Sequence, residues 1–441
     1  MCFVYATPLF GLEVIMYSYL VEGGFKIGGK ITASGNKNAA LPCITAALLT
    51  DEEVILENIP DIKDVEVILS ILKDLGVDIL IQGNTLKIKA LNVVKTDMDS
   101  SLTDLIRASI LFVGPMLARC GKIDIAPPGG DVIGKRRLDT HFYGLGKLGA
   151  KLIESERIVL EVDKLIGAEM FLDEASVTAT ENIIMASVLA FGETVVMNAA
   201  CEPHVQDLCK MLNSMGADIS GIGSNMLRIR GVKRLSGTRF RIGADFMQIG
   251  SLISLAALTG GELEISQADP QNFVLIRHVY SRLGINFEYD NENIYVKEKQ
   301  TLKVKLDFGG HIPKIDDGPW PAFPTDLMSI MIVTATQVNG TVLIFEKMFE
   351  SRMFFVDKLI KMGAQIVLCD PHRVVVTGKA VLKGSNVSSP DVRAGMSLLI
   401  AALCAEGESC IQNVYQIERG YEDVVAKLSF LGAKIKRVED K

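Results

Sequence analysis

The chain repeats itself six times, and this repeat constrains the fold more than any other feature. A Leu/Met-Gly pair followed by an alternating strand recurs at Leu75-Gly76, Leu148-Gly149, Met215-Gly216, Leu283-Gly284, Met362-Gly363 and Leu431-Gly432. Successive glycines lie 67 to 79 residues apart. A second marker keeps pace with the first. An apolar, Ala-rich helix runs through a turn into a strand at 46–56, 110–125, 183–197, 252–265, 330–345 and 398–414. The turn is Gly121-Lys122, Gly192-Glu193, Gly261-Glu262, Gly340-Thr341 or Gly407-Glu408, and Asp51-Glu52-Glu53 replaces it in the first copy. Each unit therefore reads as a helix, a strand, a second helix ending in Leu-Gly, and one or two further strands. A glycine just past a helix suits the left-handed cap position. Segments 251–258 and 397–404 are apolar nearly all round, so they are expected to be buried helices. Segments 85–89 and 373–377 alternate, which predicts strands with one wet face.

A single unit with one exposed apolar face is marginal on its own. Three units that pack their inner helices together make a domain, and two such trios account for the chain. A single long solenoid fits less well, because solenoid repeats usually run to roughly 20–50 residues. Charged residues are 22% of the chain and hydrophobic residues 49%, which excludes a disordered polypeptide. The net charge is −7 with no dense Lys/Arg run, so no nucleic-acid partner is expected and an anionic ligand needs a local basic site. No apolar run reaches the roughly 18 residues of a membrane span. The first residues lack a basic stretch and are not read as a signal peptide; Met16 is a second candidate start. The eight cysteines are scattered, with no metal or redox spacing, which points to reduced thiols and a cytoplasmic setting.

No His/Cys/Asp/Glu cluster has metal-ligand spacing. The five histidines, His141, His204, His278, His311 and His372, are dispersed and read as surface or structural residues. There is no Walker loop, Gly221-Ile222-Gly223 lacks the third glycine of a dinucleotide fingerprint, and no nucleophile elbow occurs. Three short segments and four single arginines stand apart from the repeat. Ser34-Gly35-Asn36-Lys37-Asn38 places a lysine at the start of an apolar helix, where the dipole disfavours it. That placement suits an anion held by the lysine and free backbone amides, or simply a solvated helix start. Pro127–Gly134, followed by Lys135-Arg136-Arg137, is a Pro/Gly-rich loop carrying Asp131 and three bases: a lid over a ligand, or a long surface loop. Arg107 and Arg393 open apolar helices at equivalent places in the repeat, as ligand contacts or as partners of Asp104 and Asp391; Arg352 and Arg419 sit in loops. Arginines with one lysine suit a phosphate and a carboxylate. Trp320-Pro-Ala-Phe-Pro-Thr-Asp326 ends in an aspartate that is either a helix N-cap or a carboxylate base.

Taken together, these segments and the Arg419-Gly-Tyr-Glu422 ending resemble the UDP-N-acetylglucosamine enolpyruvyl transferases (1-carboxyvinyltransferases), from about Met16 to the C-terminus. The resemblance implies an α/β (α+β) protein of two inside-out α/β barrel domains, each of three repeated units, with the active site in the cleft between them. Residues 16–35 and 244–441 would form a discontinuous domain 2, residues 36–243 domain 1 with the catalytic loop, and residues 1–15 an N-terminal extension. The implied reaction moves the enolpyruvyl group of phosphoenolpyruvate to the 3′-hydroxyl of UDP-N-acetylglucosamine through a tetrahedral intermediate, releasing phosphate. It needs no cofactor and no metal. The two substrates are the partners, with no nucleic acid and no membrane, and a monomer is favoured. Position by position, Lys37 and Asn38 match the phosphoenolpyruvate contact. Arg136, Arg393 and Arg419, with Arg352 nearby, match the rest of an anion clamp. Arg107, Arg136, Arg137, Leu138, Asp139, Thr140, Glu174, Ala175, Ser176, Val177, Asp326 and Met348 match positions that hold the UDP-sugar. Asp326 matches the base, Asp131 the general acid, and Lys37, Arg136 and Arg419 join them in catalysis. Lys63, Asp64 and Glu350 are outlying candidates.

Two positions depart from the commoner family pattern. Asp131 stands where cysteine is usual. A carboxylic acid can donate a proton if its pKa is raised, which loop closure favours and nearby arginines oppose. A carboxylate is also a poor nucleophile toward an epoxide, so the chain is expected to be insensitive to fosfomycin. His204 stands where a carboxylate is familiar. Two other functions share much of the pattern: 3-phosphoshikimate enolpyruvyl transfer, and UDP-sugar binding without catalysis. The Pro-Gly-Gly-Asp loop and Phe-Pro-Thr-Asp turn favour the UDP-sugar enzyme over the shikimate one, and the full set of charged positions argues against a non-catalytic binder. Closure of the domains on the UDP-sugar is expected as well.

Overall fold

All six Leu/Met-Gly pairs end a helix, and each glycine lies in the left-handed region with φ between 77° and 105°. The helices they close are Lys63–Asp74, Asp139–Lys147, Pro203–Ser214, Val274–Arg282, Val356–Lys361 and Val424–Phe430. A side chain with a Cβ is strained there, which is why the dipeptide marks the repeat so clearly. The second marker holds with one shift. In the fourth copy the left-handed residue is Gly260, not Gly261. Gly261 is needed for a different reason: a Cβ on it would stand 1.9 Å from the Ile27 carbonyl oxygen. The computed structural model describes residues 16–130, 137–153 and 155–440.

The inner helices are Lys37–Ala46, Val113–Cys120, Val177–Ser187, Phe246–Thr259, Met328–Thr336 and Val392–Cys404. Phe246–Thr259 and Val392–Cys404 are buried almost all round, as their sequences predict. Each inner helix feeds a strand: Glu53–Glu57, Lys122–Ile125, Glu193–Met197, Leu263–Ser266, Gly340–Phe345 and Glu408–Gln412, an inner strand of its sheet in every unit but the second. Six sheets result, five of four strands and one of three. The sequence reading allowed at most three strands per unit. The fourth is a short parallel strand from a connecting segment, such as Glu169–Phe171 or Lys314–Asp316, beside that inner strand. Three residues are too few for a period-2 pattern to stand out. Tyr17–Glu22 pairs antiparallel with both Glu408–Gln412 and Lys434–Glu439, so the first strand completes the sixth unit's sheet. Gly29–Thr32 pairs parallel with Leu263–Ser266 in the fourth unit.

The buried apolar residues fall into two cores. One runs from Ala39 to Ile242. The other joins Tyr19, Val21, Ile27 and Ala33 to residues from Ala244 to Ile435. Within the second core the helices Phe246–Thr259, Met328–Thr336 and Val392–Cys404 pack on one another, with their sheets outside. The architecture is thus an α/β fold turned inside out, with helices at the centre and sheets outermost. The chain passes between the cores at two adjacent crossings. There Asn36 N donates to Gly243 O at 2.8 Å and Asp245 N to Ser34 O at 2.9 Å. Helix starts from both halves face the cleft that remains.

Candidate active site

A cavity of about 410 Å³ lies in that cleft, lined from the first core by Lys37, Arg107, Val177 and Glu181 and from the second by Trp320, Asp326, Arg352, Arg393 and Arg419. Its charged residues are grouped around two aspartates. Asp64 sits between two cations: Lys37 Nζ is 2.6 Å from Oδ2 and Arg419 Nε is 2.9 Å from Oδ1. All three side chains are nearly buried. Burial pushes the Asp64 carboxyl up, but Lys37 and Arg419 outweigh it and hold the group below the usual carboxylate range. Asn36 caps the helix Lys37–Ala46 by accepting from the amides of Asn38 and Ala39. Those amides are therefore occupied, which corrects the expectation that free backbone N–H groups hold an anion there.

Asp326 makes the second group. Arg352 Nη2 donates to Oδ1 at 2.6 Å and Arg393 Nε to Oδ2 at 3.1 Å. Burial again raises the carboxyl, and again the two guanidiniums outweigh it, holding Asp326 far below the ordinary range. Asp326 is not an N-cap: it lies inside the 3-10 turn Thr325–Leu327, whose N-cap Pro324 has no side-chain bond. In this state it is a weak base, because both its oxygens are held by arginines. One of the two sequence readings of Arg393 paired it with Asp391. Instead Asp391 caps the helix Val392–Cys404, accepting from the amides of Arg393 and Ala394 at 2.9 Å, and the Arg393 side chain turns to Asp326.

Beyond these two groups the lining includes Arg107, Arg137 and Glu174, and two acids, Glu181 and Glu202, whose carboxyls burial raises. Glu202 adds to the rise at Glu181. Burial also pushes His204 down to about 4, so its ring is neutral. The His204 ring stacks on Phe246 at 6.4 Å between centroids, and Phe246 meets Trp320 at 5.9 Å. Trp320 N donates to Glu202 Oε1 at 3.4 Å, joining the two halves. His204 is thus a neutral wall residue where a second carboxylate would add charge.

Other candidate positions divide. Asn38, Arg107, Arg137, Glu174, Ala175, Ser176, Val177 and Met348 line the cavity. Leu138, Asp139 and Thr140 do not; they begin the helix Asp139–Lys147, and Asp139 pairs with Arg137 at 2.9 Å. Lys63 points away and pairs with Glu66, and Glu350 is exposed outside the cavity. Asp131 and Arg136 lie outside the described residues. The preceding loop packs closely on the Arg107 segment: a Cβ on Gly129 would stand 1.8 Å from Asp104 O, and Gly130 has φ 99°. Glu181 and Glu202 were not singled out from sequence. A charged residue in the middle of an apolar helix was the available signal for Glu181. Among the described residues no His/Cys/Asp/Glu group could hold a metal, and no helix is long and apolar enough to cross a membrane.

Comparison with known proteins agrees with this geometry. The EPSP synthase (3-phosphoshikimate 1-carboxyvinyltransferase) family matches residues 21–428. A UDP-N-acetylglucosamine 1-carboxyvinyltransferase from Borreliella burgdorferi is 81% identical, over 96% of this chain and 100% of the relative. Proteins of the same name from Treponema denticola and Bacteroides thetaiotaomicron are 57% and 48% identical over the same shares. Among solved structures, the enolpyruvyl transferase NikO from Streptomyces tendae superposes with a TM-score of 0.86 at 20% identity, covering 97% of this chain and 100% of that one. An EPSP synthase from Acinetobacter baumannii gives 0.74 at 17% identity, covering 96% and 100%. Those two likenesses establish the fold. With the sequence identities they place the chain: it belongs to the enolpyruvyl transferases, in the UDP-N-acetylglucosamine 1-carboxyvinyltransferase family.

Proposed function

We infer that the chain transfers the enolpyruvyl group of phosphoenolpyruvate to the 3′-hydroxyl of UDP-N-acetylglucosamine and releases phosphate, supplying a precursor of peptidoglycan. The observation that carries the reading is the pair of aspartate-held cation groups facing one cavity. Lys37 with Arg419, and Arg352 with Arg393, supply four cations. A phosphate and a carboxylate on one small molecule need such an arrangement. Each aspartate occupies its cations until the anion arrives. As Arg352 and Arg393 turn to the ligand, the field that holds Asp326 ionised weakens and its basicity rises. Asp326 then accepts the hydroxyl proton as the oxygen adds to C2. Asp131 protonates C3. Phosphate leaves C2 as a proton is lost from C3, restoring the double bond. Arg136 and Asn38 complete the phosphoenolpyruvate contacts. Arg107, Arg137–Thr140, Glu174–Val177 and Met348 hold the UDP-sugar.

The two moving bodies are residues 36–243 and residues 16–35 with 244–441, which close on the acceptor. The chain acts in the cytoplasm as a monomer. The test is phosphate release from phosphoenolpyruvate with each of two acceptors. Turnover with UDP-N-acetylglucosamine and none with shikimate 3-phosphate is expected. The reverse pattern, or binding of the UDP-sugar without turnover, refutes the reading.

A further inference from the structure

Behind the cavity wall lies a second pair of acids with no part in the reaction as described. Asp317 and Glu346 are both wholly buried, at 0% exposure. Glu346 gathers two segments that face the substrates. Thr325 Oγ1 donates to both its carboxyl oxygens at 2.9 Å, and Thr325 precedes Asp326. The amides of Met348 and Phe349 donate to Oε1 at 3.1 Å each. Thr325, Met348 and Phe349 all line the cavity. Asp317 holds the adjoining turn, accepting from the Lys347 amide through Oδ1 at 2.6 Å. Its other oxygen, Oδ2, meets no donor in the protein among the described residues. Asp316 and Phe345 pair in parallel register, so the next residues, Asp317 and Glu346, stand side by side. Two carboxylates cannot share a buried bond without a proton. If Glu346 carries it, its O–H donates to Asp317 and the orphaned oxygen is satisfied.

We propose that Asp317 and Glu346 share one proton and form a positioning pair that fixes the Thr325–Asp326 and Met348–Phe349 segments for enolpyruvyl transfer. The proposal rests on the reaction assigned above. Burial, then Asp317 beside it, pushes the Glu346 carboxyl up to about 8. The surrounding charges are already engaged. Arg352, which opposes this shift, is paired with Asp326. Lys347 and Lys314 pair with Asp316, and Arg373 pairs with Asp370. The His372 ring meets the Glu346 carbonyl oxygen at 2.8 Å through Nδ1. Loss of the shared proton places a second negative charge against Asp317, and the only release is movement of the two segments. Neither acid touches substrate; both act through Asp326 and the Met348–Phe349 turn.

The experiment follows kcat of the full chain, by phosphate release at saturating phosphoenolpyruvate and UDP-N-acetylglucosamine, from neutral to alkaline pH. Wild-type kcat is expected to fall with an inflection near 8. In Glu346→Gln the amide N–H₂ donates to Asp317 and the amide oxygen accepts from the backbone, as the neutral acid does. That variant should keep neutral-pH kcat within about threefold and lose the alkaline fall, whereas Glu346→Ala should lose roughly tenfold or more at neutral pH. An alkaline fall unchanged in Glu346→Gln, or a Gln variant as impaired as the Ala variant, overturns the proposal. Infrared difference spectra provide a readout independent of turnover. A protonated-carboxyl band at neutral pH, absent from Glu346→Gln, is expected, and no such band in the wild type refutes the shared proton. A wild type that shows this band but does not turn over UDP-N-acetylglucosamine would refute the reaction and leave the shared proton standing.

Discussion

Arg419 Nε donates to Asp64 Oδ1 at 2.9 Å, joining residues 355 positions apart across the cleft. The bond is buried, and Lys37 completes it from the other carboxylate oxygen. Removing the acid leaves two buried cations facing each other. Asp64→Ala is therefore expected to lower the stability of the ligand-free chain by about 3–5 kcal/mol. Inorganic phosphate should restore part of the loss, since an anion can take the place of the carboxylate. Urea unfolding with and without phosphate checks both parts. An unchanged midpoint, or no gain from phosphate, contradicts the arrangement.

Asp326 holds Arg352 and Arg393, the two arginines proposed to take the substrate. Asp326→Asn should bind phosphoenolpyruvate more tightly, because the internal anion is gone, yet turn over about 10²-fold or more slowly, because the base is gone. Calorimetry with the ligand and a rate assay separate the two effects. Weaker binding would show that Asp326 supports the clamp rather than opposing it.

Both aspartates also predict a pH dependence. Their folded pKa values lie below the ordinary carboxylate value. Their contribution to stability is therefore present above that ordinary value, near 3.8, and is lost as pH falls through the lower folded values. The wild type should lose stability on acidification more steeply than Asp326→Asn. Parallel acid-unfolding curves would contradict this.

These relationships show what a sequence exposes and what it hides. The six cap glycines were legible because a left-handed φ restricts the residue type at a fixed place in each unit. The inner helices Phe246–Thr259 and Val392–Cys404 were legible because they are apolar nearly all round. The parallel fourth strands were hidden by their three- and four-residue lengths. The candidate arginines could be listed from sequence but not paired. Arg393 beside Asp391 invited a local pair, and the chain instead brings it to Asp326, 67 residues away. The Asp317–Glu346 neighbourhood carried no sequence signal, since an acid just past a strand end usually reads as solvated.

The proposal that Asp131 is the proton donor has a pharmacological consequence. The wild type is expected to keep its activity after preincubation with fosfomycin, whereas Asp131→Cys should stay active and become progressively inactivated. Asp131→Asn, which cannot donate a carboxyl proton, should lose about 10²–10⁴-fold in turnover. Time-dependent loss in the wild type would refute the assignment.

Closure of the cleft on the acceptor should appear as a smaller radius of gyration in solution scattering when UDP-N-acetylglucosamine is added. An unchanged radius counts against moving domains.

The most direct test of the account is the reaction run in deuterium oxide with phosphoenolpyruvate and UDP-N-acetylglucosamine, with the enolpyruvyl product examined by mass and by proton spectra. Addition followed by elimination passes through a methyl group at C3, protonated from the solvent-exchanged acid. The product should therefore carry deuterium at C3. An enolpyruvyl product free of deuterium would contradict protonation by Asp131, and no enolpyruvyl product at all would contradict the function.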